Sequence, residues 1–271
     1  LRRAIECEDF VMHYQPIVAL DTGSIVGFEG LVRWNHPERG LIAPGQFIGL
    51  AEETGLIVPL CWFTLRECCG QARRWQTMFP TNPPLFISVN VSGKLFLQPD
   101  AVERLVAILE QTGLPPESLR LEVTENVVVD HGDEVMNKLS KLRALGVELS
   151  IDDFGTGYSS LSYLSRFPLD ELKIDRSFVT KFQESDNDAS VVLAIIALAK
   201  SMNLRLVAEG VETQEQYQFL TGNGAHIIQG YLFSEPVTAE ALKPLLAPWH
   251  FMHQIQQITD DPSLLREAVV S

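Results

Sequence analysis

The stretch LSIDDFGTGYSSL, Leu149 to Leu161, sets two carboxylates side by side at the end of an apolar run and follows them with glycines. Successive side chains of an extended strand point to opposite faces. Asp152 and Asp153 can therefore serve one site only if the strand ends between them, and Gly155 and Gly157 supply the freedom for such a bend. Other residues with useful chemistry stand at the ends of other strand patterns. They are Glu29 in SIVGFEGLVRW, Asn90 in FISVNVS, Glu122 in LRLEVTE, Lys173 in ELKIDR, Glu209 in LRLVAEGVE and Gln229 in HIIQG. Any one of these acids alone reads most simply as a solvated surface charge. Converged on one cavity they repel, and each buried ion costs several kcal/mol. Divalent cations are the usual resolution. Carboxylates with an amide oxygen, and no Cys or His among them, suit hard Mg²⁺ or Mn²⁺ rather than Zn²⁺.

The elements that would bring these residues together are β-α repeats. From Phe86 onward, short apolar strands alternate with amphipathic helices such as AVERLVAILEQTG, EVMNKLSKLRALG and DASVVLAIIALAKSM. Such repetition implies parallel strands with crossover helices. The number of units predicts a closed α/β barrel, a (β/α)8 TIM type, whose active site lies at the C-terminal ends of the strands. No G-x-G-x-x-G follows the first strand, which argues against an open dinucleotide-binding sheet. Earlier, FVMHYQPIVAL and SIVGFEGLVRW are joined by the turn-like DTGS, so one early strand runs antiparallel. Leu1 to Phe10 reads as a helix. Pro44 to Trp75 reads as helix in two pieces, broken at Gly55 or Pro59, and a last helix is expected near AEALKPLLA. The barrel is assigned to residues 1–248 and a helical tail to 249–271.

Period two sorts the side chains further. Ser88 and Asn90 share the inward face opposite Ile87 and Val89, and Lys173 and Asp175 share a face opposite Leu172 and Ile174. Arg33 lies on the same strand face as Glu29. It could fork a phosphate or close a rim ion pair.

A net charge of −14 without a basic run argues against DNA, RNA or an anionic membrane as the main partner. It leaves room for a small phosphorylated ligand held through metal ions. No apolar run is long enough to span a bilayer, and the longest, Val191 to Ala199, reads as a buried helix. Cys7, Cys61, Cys68 and Cys69 match no zinc-ligand spacing and read as small buried hydrophobes in a reducing cytosol. The expected location is cytoplasmic, including the cytoplasmic part of a larger membrane-associated protein.

FEGLVRW, NVS, EVTE, DDFGTGYSSL, KIDRSFV, AEGVET and QGYLFSEP occur, in this order, between about Tyr14 and Pro236. In these motifs the chain resembles the EAL family, bacterial phosphodiesterases of cyclic di-GMP. The resemblance implies a modified TIM barrel with one antiparallel strand, a homodimer, and sensory or regulatory domains N-terminal to this segment. It implies hydrolysis of one phosphodiester bond of cyclic di-GMP to linear pGpG with two Mg²⁺ or Mn²⁺ ions. Position by position, it implies that Glu29, Asn90, Glu122 and Asp152 bind the first metal and that Asp153 and Glu209 help Asp152 hold the second. Lys173 would contact the attacking water with Gln229 nearby, Glu125 would anchor the glycine loop, and Gln15, Arg33 and Asp175 would touch the ligand. The alternative is a catalytically weak cyclic di-GMP receptor or dimerising signalling module. The triplet that names the family reads Glu29-Gly30-Leu31, with Gly in place of Ala. Loss of one methyl predicts only a small change in strand stiffness. Leu161, Tyr163 and Leu164 after the glycine loop offer an apolar surface, either for a dimer or for the same subunit's barrel.

Overall fold

In a computed structural model the chain describes residues 1–7, 9–155, 167–181 and 186–246. Side chains of residues 125–126, 128–132 and 186–187 are outside that description. Strands β1 (Phe10–Ala19) and β2 (Ser24–His36) form the expected antiparallel hairpin, and the short β3 (Gly40–Ile42) adds to the outer edge of β2. Next come β4 (Phe86–Asn90), β5 (Leu119–Thr124), β6 (Glu148–Phe154), β7 (Glu171–Ile174), β8 (Arg205–Ala208) and β9 (Ile227–Ile228). β2, β4, β5, β6, β7, β8 and β9 follow one another in parallel pairs. β1 closes the ring, antiparallel to both β2 and β9. The result is a closed eight-stranded barrel with one antiparallel strand and one extra strand.

The helices form where the apolar period changes from two to 3.6. α1 is Arg2–Glu6, α2 is Ile48–Thr54, α3 is Ile57–Met78 and α4 is Gly93–Phe96. α5 is Ala101–Thr112, α6 is Glu125–Ala144, α7 is Arg176–Lys181, α8 is Asp186–Ser201 and α9 is Gln214–Gly222. Gly55, at φ 73°, ends α2, and Pro59 sits in the first turn of α3, where its missing N–H removes no bond. α1 is shorter than the Leu1–Phe10 expectation because Phe10 already pairs with Trp34 as strand. The helix expected near AEALKPLLA is only a 3₁₀ turn, Lys243–Leu246, whose second residue is Pro244. Residues 249–271 lie outside the described residues.

One large core fills the space between barrel and helices. Cys61, Cys68 and Cys69 belong to it, whereas Cys7 is exposed, against the expectation that all four are buried. In α8, Val191 and Leu193 are exposed and Val192, Ile195, Ile196 and Ala199 are buried, so the helix is one-sided rather than buried all round. A second, smaller cluster of Ile17, Phe86, Val207 and Ile227 plugs the barrel interior.

Also inside the barrel is an ionic group that the sequence reading missed. Arg120 reaches Glu148 at 2.6 Å and Glu171 at 2.8 Å, and stacks 3.2 Å over the Phe86 ring. Arg205 reaches the same two acids. Glu171 is two residues before Lys173 and Arg120 two before Glu122, so period two was the signal that could have found them. Removing one member leaves its partners buried and unpaired. Arg120→Ala is expected to destabilise the domain by about 3–5 kcal/mol, measurable by urea unfolding, with little change in ligand affinity.

Candidate active site

The C-terminal ends of the barrel strands carry an ammonium ringed by carboxylates. Lys173, on β7, is 1% exposed. Its Nζ lies 2.8 Å from Glu122 on β5, 3.7 Å from Glu29 on β2 and 3.7 Å from Asp152 on β6. It also pairs with Glu209, directly after β8. Burial opposes the lysine's charge, but Asp152, Glu122, Glu209 and Glu29 together outweigh it and hold its pKa well above the ordinary value. The acids show the cost. Burial pushes Glu122 well above the usual carboxylate range and raises Asp152, in both cases against the pull of Lys173. Glu209 is pushed up to about 8, again chiefly by burial.

Amide groups complete the ring. Asn90 Nδ2 donates to Glu29 Oε1 at 2.6 Å. Gln229 Nε2 donates to the other oxygen of Glu29 at 2.5 Å and to Gln15 Oε1 at 2.8 Å. Gln15 in turn donates to the Ser234 carbonyl at 3.0 Å, which ties β1 to the loop after β9. Sequence order hides these contacts, since Gln15 and Gln229 meet only because β1 and β9 pair to close the barrel.

β6 corrects one expectation. The strand does not end between Asp152 and Asp153 but runs to Phe154. Its register against β7 shifts between Ile151 and Phe154, and Asp153 takes φ 55°. This bulge, rather than a strand end, re-aims the second carboxylate. Asp152 Oδ1 accepts from the Asp153 N–H at 2.9 Å, and the Asp153 carboxyl group faces that of Asp175. Burial, then Asp152 and Asp175, push Asp153 up to about 6. Gly155 follows at φ 93°, so the expected bend is there, two residues later. Asp175 also accepts from the backbone and hydroxyl of Ser177 at the start of α7. The side chain of Glu125, Gly157 and the residues Leu161, Tyr163 and Leu164 lie outside the described residues.

Arg33 makes no ion pair among the described residues. Its guanidinium donates to the Val32 carbonyl at 3.0 Å, and burial lowers its pKa. It is thus a partly buried cation within electrostatic reach of Tyr231 and Glu29, with donors unused among the described residues. Beside Asn90 and Glu122 opens a cavity of about 490 Å³ with walls from Pro44, Ile48, Ile57, Leu60, Val91 and Val127. Glu52 and Lys94 stand at its edge, with Lys94 donating to the Glu52 carbonyl at 2.5 Å. These wall residues are not distinguishable in the sequence, because apolar positions of α2 and α3 look alike whether they face core or cavity.

The donor set fits hard divalent cations. It is all oxygen, and Glu122 Oε1 and Gln229 Oε1 lack a hydrogen-bond partner among the described residues, while Glu122 Oε2 and Glu209 Oε1 meet only the Lys173 ammonium. Such atoms call for a ligand or ordered water. Among the described residues no three His, Cys, Asp or Glu side chains already converge as a ligand group. The acids instead close on Lys173. The raised carboxylates have a stability consequence. Between the ordinary 4.5 and about 8, folded Glu209 holds a proton that the unfolded chain has released. Metal-free stability is therefore expected to fall as pH rises through that window. A thermal melt series of EDTA-treated domain from pH 4.5 to 8 measures this, and added Mg²⁺ should restore most at the high-pH end.

Fold and site together define a class: a TIM-type barrel with an oxygen-ligand, lysine-centred acidic site at its C-terminal mouth. The EAL domain model matches residues 1–236, and the chain belongs to that family. It is 46% identical over 242 residues to the bifunctional diguanylate cyclase/cyclic di-GMP phosphodiesterase MucR of Pseudomonas aeruginosa, covering 89% of this chain and 35% of that protein. It is 44% identical over 251 residues to the cyclic di-GMP phosphodiesterase NbdA of the same organism, covering 93% and 32%. The chain thus spans about a third of the length of these curated relatives. A solved structure of the PaMucR phosphodiesterase in complex with c-di-GMP superposes with a TM-score of 0.84 at 46% identity, covering 89% of this chain and 97% of that one. No described helix is long and apolar enough to cross a membrane.

Proposed function

We propose that this domain hydrolyses one phosphodiester bond of cyclic di-GMP to linear pGpG, using two Mg²⁺ or Mn²⁺ ions and acting as a homodimer. The observation that carries the proposal is the buried Lys173 ringed by Glu29, Glu122, Asp152 and Glu209, with the Asn90 amide beside them. A pure binder of an anionic dinucleotide has no use for so many acids. The phosphodiesterase relatives and the c-di-GMP complex support the choice of substrate.

Glu29, Asn90, Glu122 and Asp152 would hold one ion, and Asp153 and Glu209 would share the second with Asp152. When bound, these ions would supply positive charge at the phosphate and a more acidic water. The chain's own groups do the rest. Lys173 offsets the acids' charge and orients the attacking water. Gln229, through its two donated bonds, fixes Glu29 and Gln15 together. Arg33, with unused donors, pairs with a substrate phosphate, and Gln15 and Asp175 line its path. The apolar cavity beside Asn90 is suited to a flat base. Glu125, first residue of α6, follows β5 directly and would anchor the glycine loop. In the reaction a water oxygen bonds to phosphorus, the phosphorus–O3′ bond breaks, and O3′ departs to become a hydroxyl.

Metal withdrawal tests this. Turnover of cyclic di-GMP is expected to vanish in EDTA and return with Mg²⁺ or Mn²⁺. Hydrolysis at an undiminished rate in EDTA would refute the metal-dependent reading.

A further inference from the structure

Gly30, where the family's naming triplet has Ala, follows Glu29 directly. A Cβ at position 30 would lie 2.2 Å from Cys68 Sγ and 3.4 Å from Met12 Cε. The room a methyl would need is already filled by a thiol from α3. Cys68 is fully buried at 0% exposure. Gly30 is paired with Tyr14 on β1 and Val89 on β4, both buried in the same core. Making room for a methyl would require the Cys68 thiol to turn away from β2, against core neighbours on α3 that include Leu65, Cys69 and Ala72. On the other side of the strand, the Glu29 carboxylate is held by Asn90 and Gln229 and faces Lys173.

We propose that Gly30 and Cys68 are a size-compensated pair and that Cys68 is a positioning residue. Its sulfur stands in for the missing methyl on the helix-facing side of β2 and so sets the depth at which Glu29 enters the site. The position a methyl would take is then occupied by the thiol, and the departure from Ala is matched rather than merely tolerated. A glycine inside a strand otherwise weakens it, having no side chain to pack. This inference rests on the metal-ligand role proposed for Glu29. It adds that α3 controls that ligand's position.

The test compares four proteins: wild type, Gly30→Ala, Cys68→Ala and the double variant. Thermal unfolding and calorimetric Mg²⁺ affinity are read without substrate, and hydrolysis is read separately. Overpacking by Gly30→Ala is expected to lower Tm by about 5 °C and to weaken Mg²⁺ affinity about tenfold, the lower end of the range for disturbed ligand support. Cys68→Ala alone should lower Tm by opening a cavity. The double variant, with Ala at both positions, should recover most of the Tm and the Mg²⁺ affinity of wild type, far from the sum of the single losses. Additive losses, or a Gly30→Ala protein identical to wild type, would overturn the pairing. Recovery of Tm with unmoved Mg²⁺ affinity throughout would overturn the positioning role. If Gly30→Ala does not fold, the double variant decides: folded and metal-binding supports the pair, unfolded overturns it. A wild type that binds Mg²⁺ but leaves cyclic di-GMP intact would count against the phosphodiesterase reading alone, because the pair is read without substrate.

Discussion

Lys173→Met is expected to cut turnover by orders of magnitude and to weaken the metal-free fold at the same time. Its ammonium is the common partner of Glu29, Glu122, Asp152 and Glu209. Take it away and the acids face one another in a water-poor site. Removing one side of a buried ionic group costs about 3–5 kcal/mol, and the loss here should be largest at high pH, where the acids cannot escape by protonation. Turnover should fall by about 10²–10³-fold, the usual loss for one electrostatic group in a transition state. Affinity for cyclic di-GMP should change much less, because Lys173 is proposed to touch water and carboxylates rather than substrate. Urea unfolding in EDTA, initial rates and equilibrium ligand binding separate these effects. Equal losses in binding and turnover would make Lys173 a substrate anchor instead.

Asp152→Asn should move stability and activity in opposite directions. The substitution removes one charge from a cluster in which burial already raises Asp152 and Glu122. It keeps the Oδ1 that accepts from the Asp153 N–H. Without metal, relief of repulsion should raise Tm by roughly 2–4 °C, corresponding to about 1 kcal/mol in a chain of this size. Yet Asp152 is the proposed bridge between both ions, so turnover should drop at least about a hundredfold through lost metal affinity. Calorimetric Mn²⁺ binding with melts of the metal-free protein measures both. A variant that is less stable without metal yet binds metal normally would remove Asp152 from the site. This trade is the pattern expected of a functional cluster held together against its own repulsion.

Much of this site was legible because barrel topology is written in a short code. Polar residues two apart in ELKIDR and FISVNVS, with strand ends as their location, place Lys173, Asn90, Glu122 and Glu209 near one point before any coordinates. The antiparallel hairpin was legible from its turn. What escaped the sequence depends on closure or on local irregularity. Gln15 reaches Gln229 only across the β1–β9 seam. The bulge that turns Asp153 back follows from a single φ of 55° at a residue type that tolerates it, not from the glycines beyond. Gly30 looked like a lost methyl because the thiol that fills its place comes from Cys68, on a different element. Short elements were the weakest part. α1 gave way to strand pairing at Phe10, and Pro244 sits in the 3₁₀ turn that stands where a last helix was expected.

The most direct measurement is the fate of the substrate in isotopically labelled water. The purified domain is incubated with cyclic di-GMP and Mg²⁺ in H₂¹⁸O, and the products are resolved by mass spectrometry. The account predicts linear pGpG carrying one ¹⁸O in its terminal phosphate, formed over many turnovers and absent in EDTA. Cyclic di-GMP recovered intact and unlabelled from a folded domain that binds it would contradict the account and make the domain a receptor.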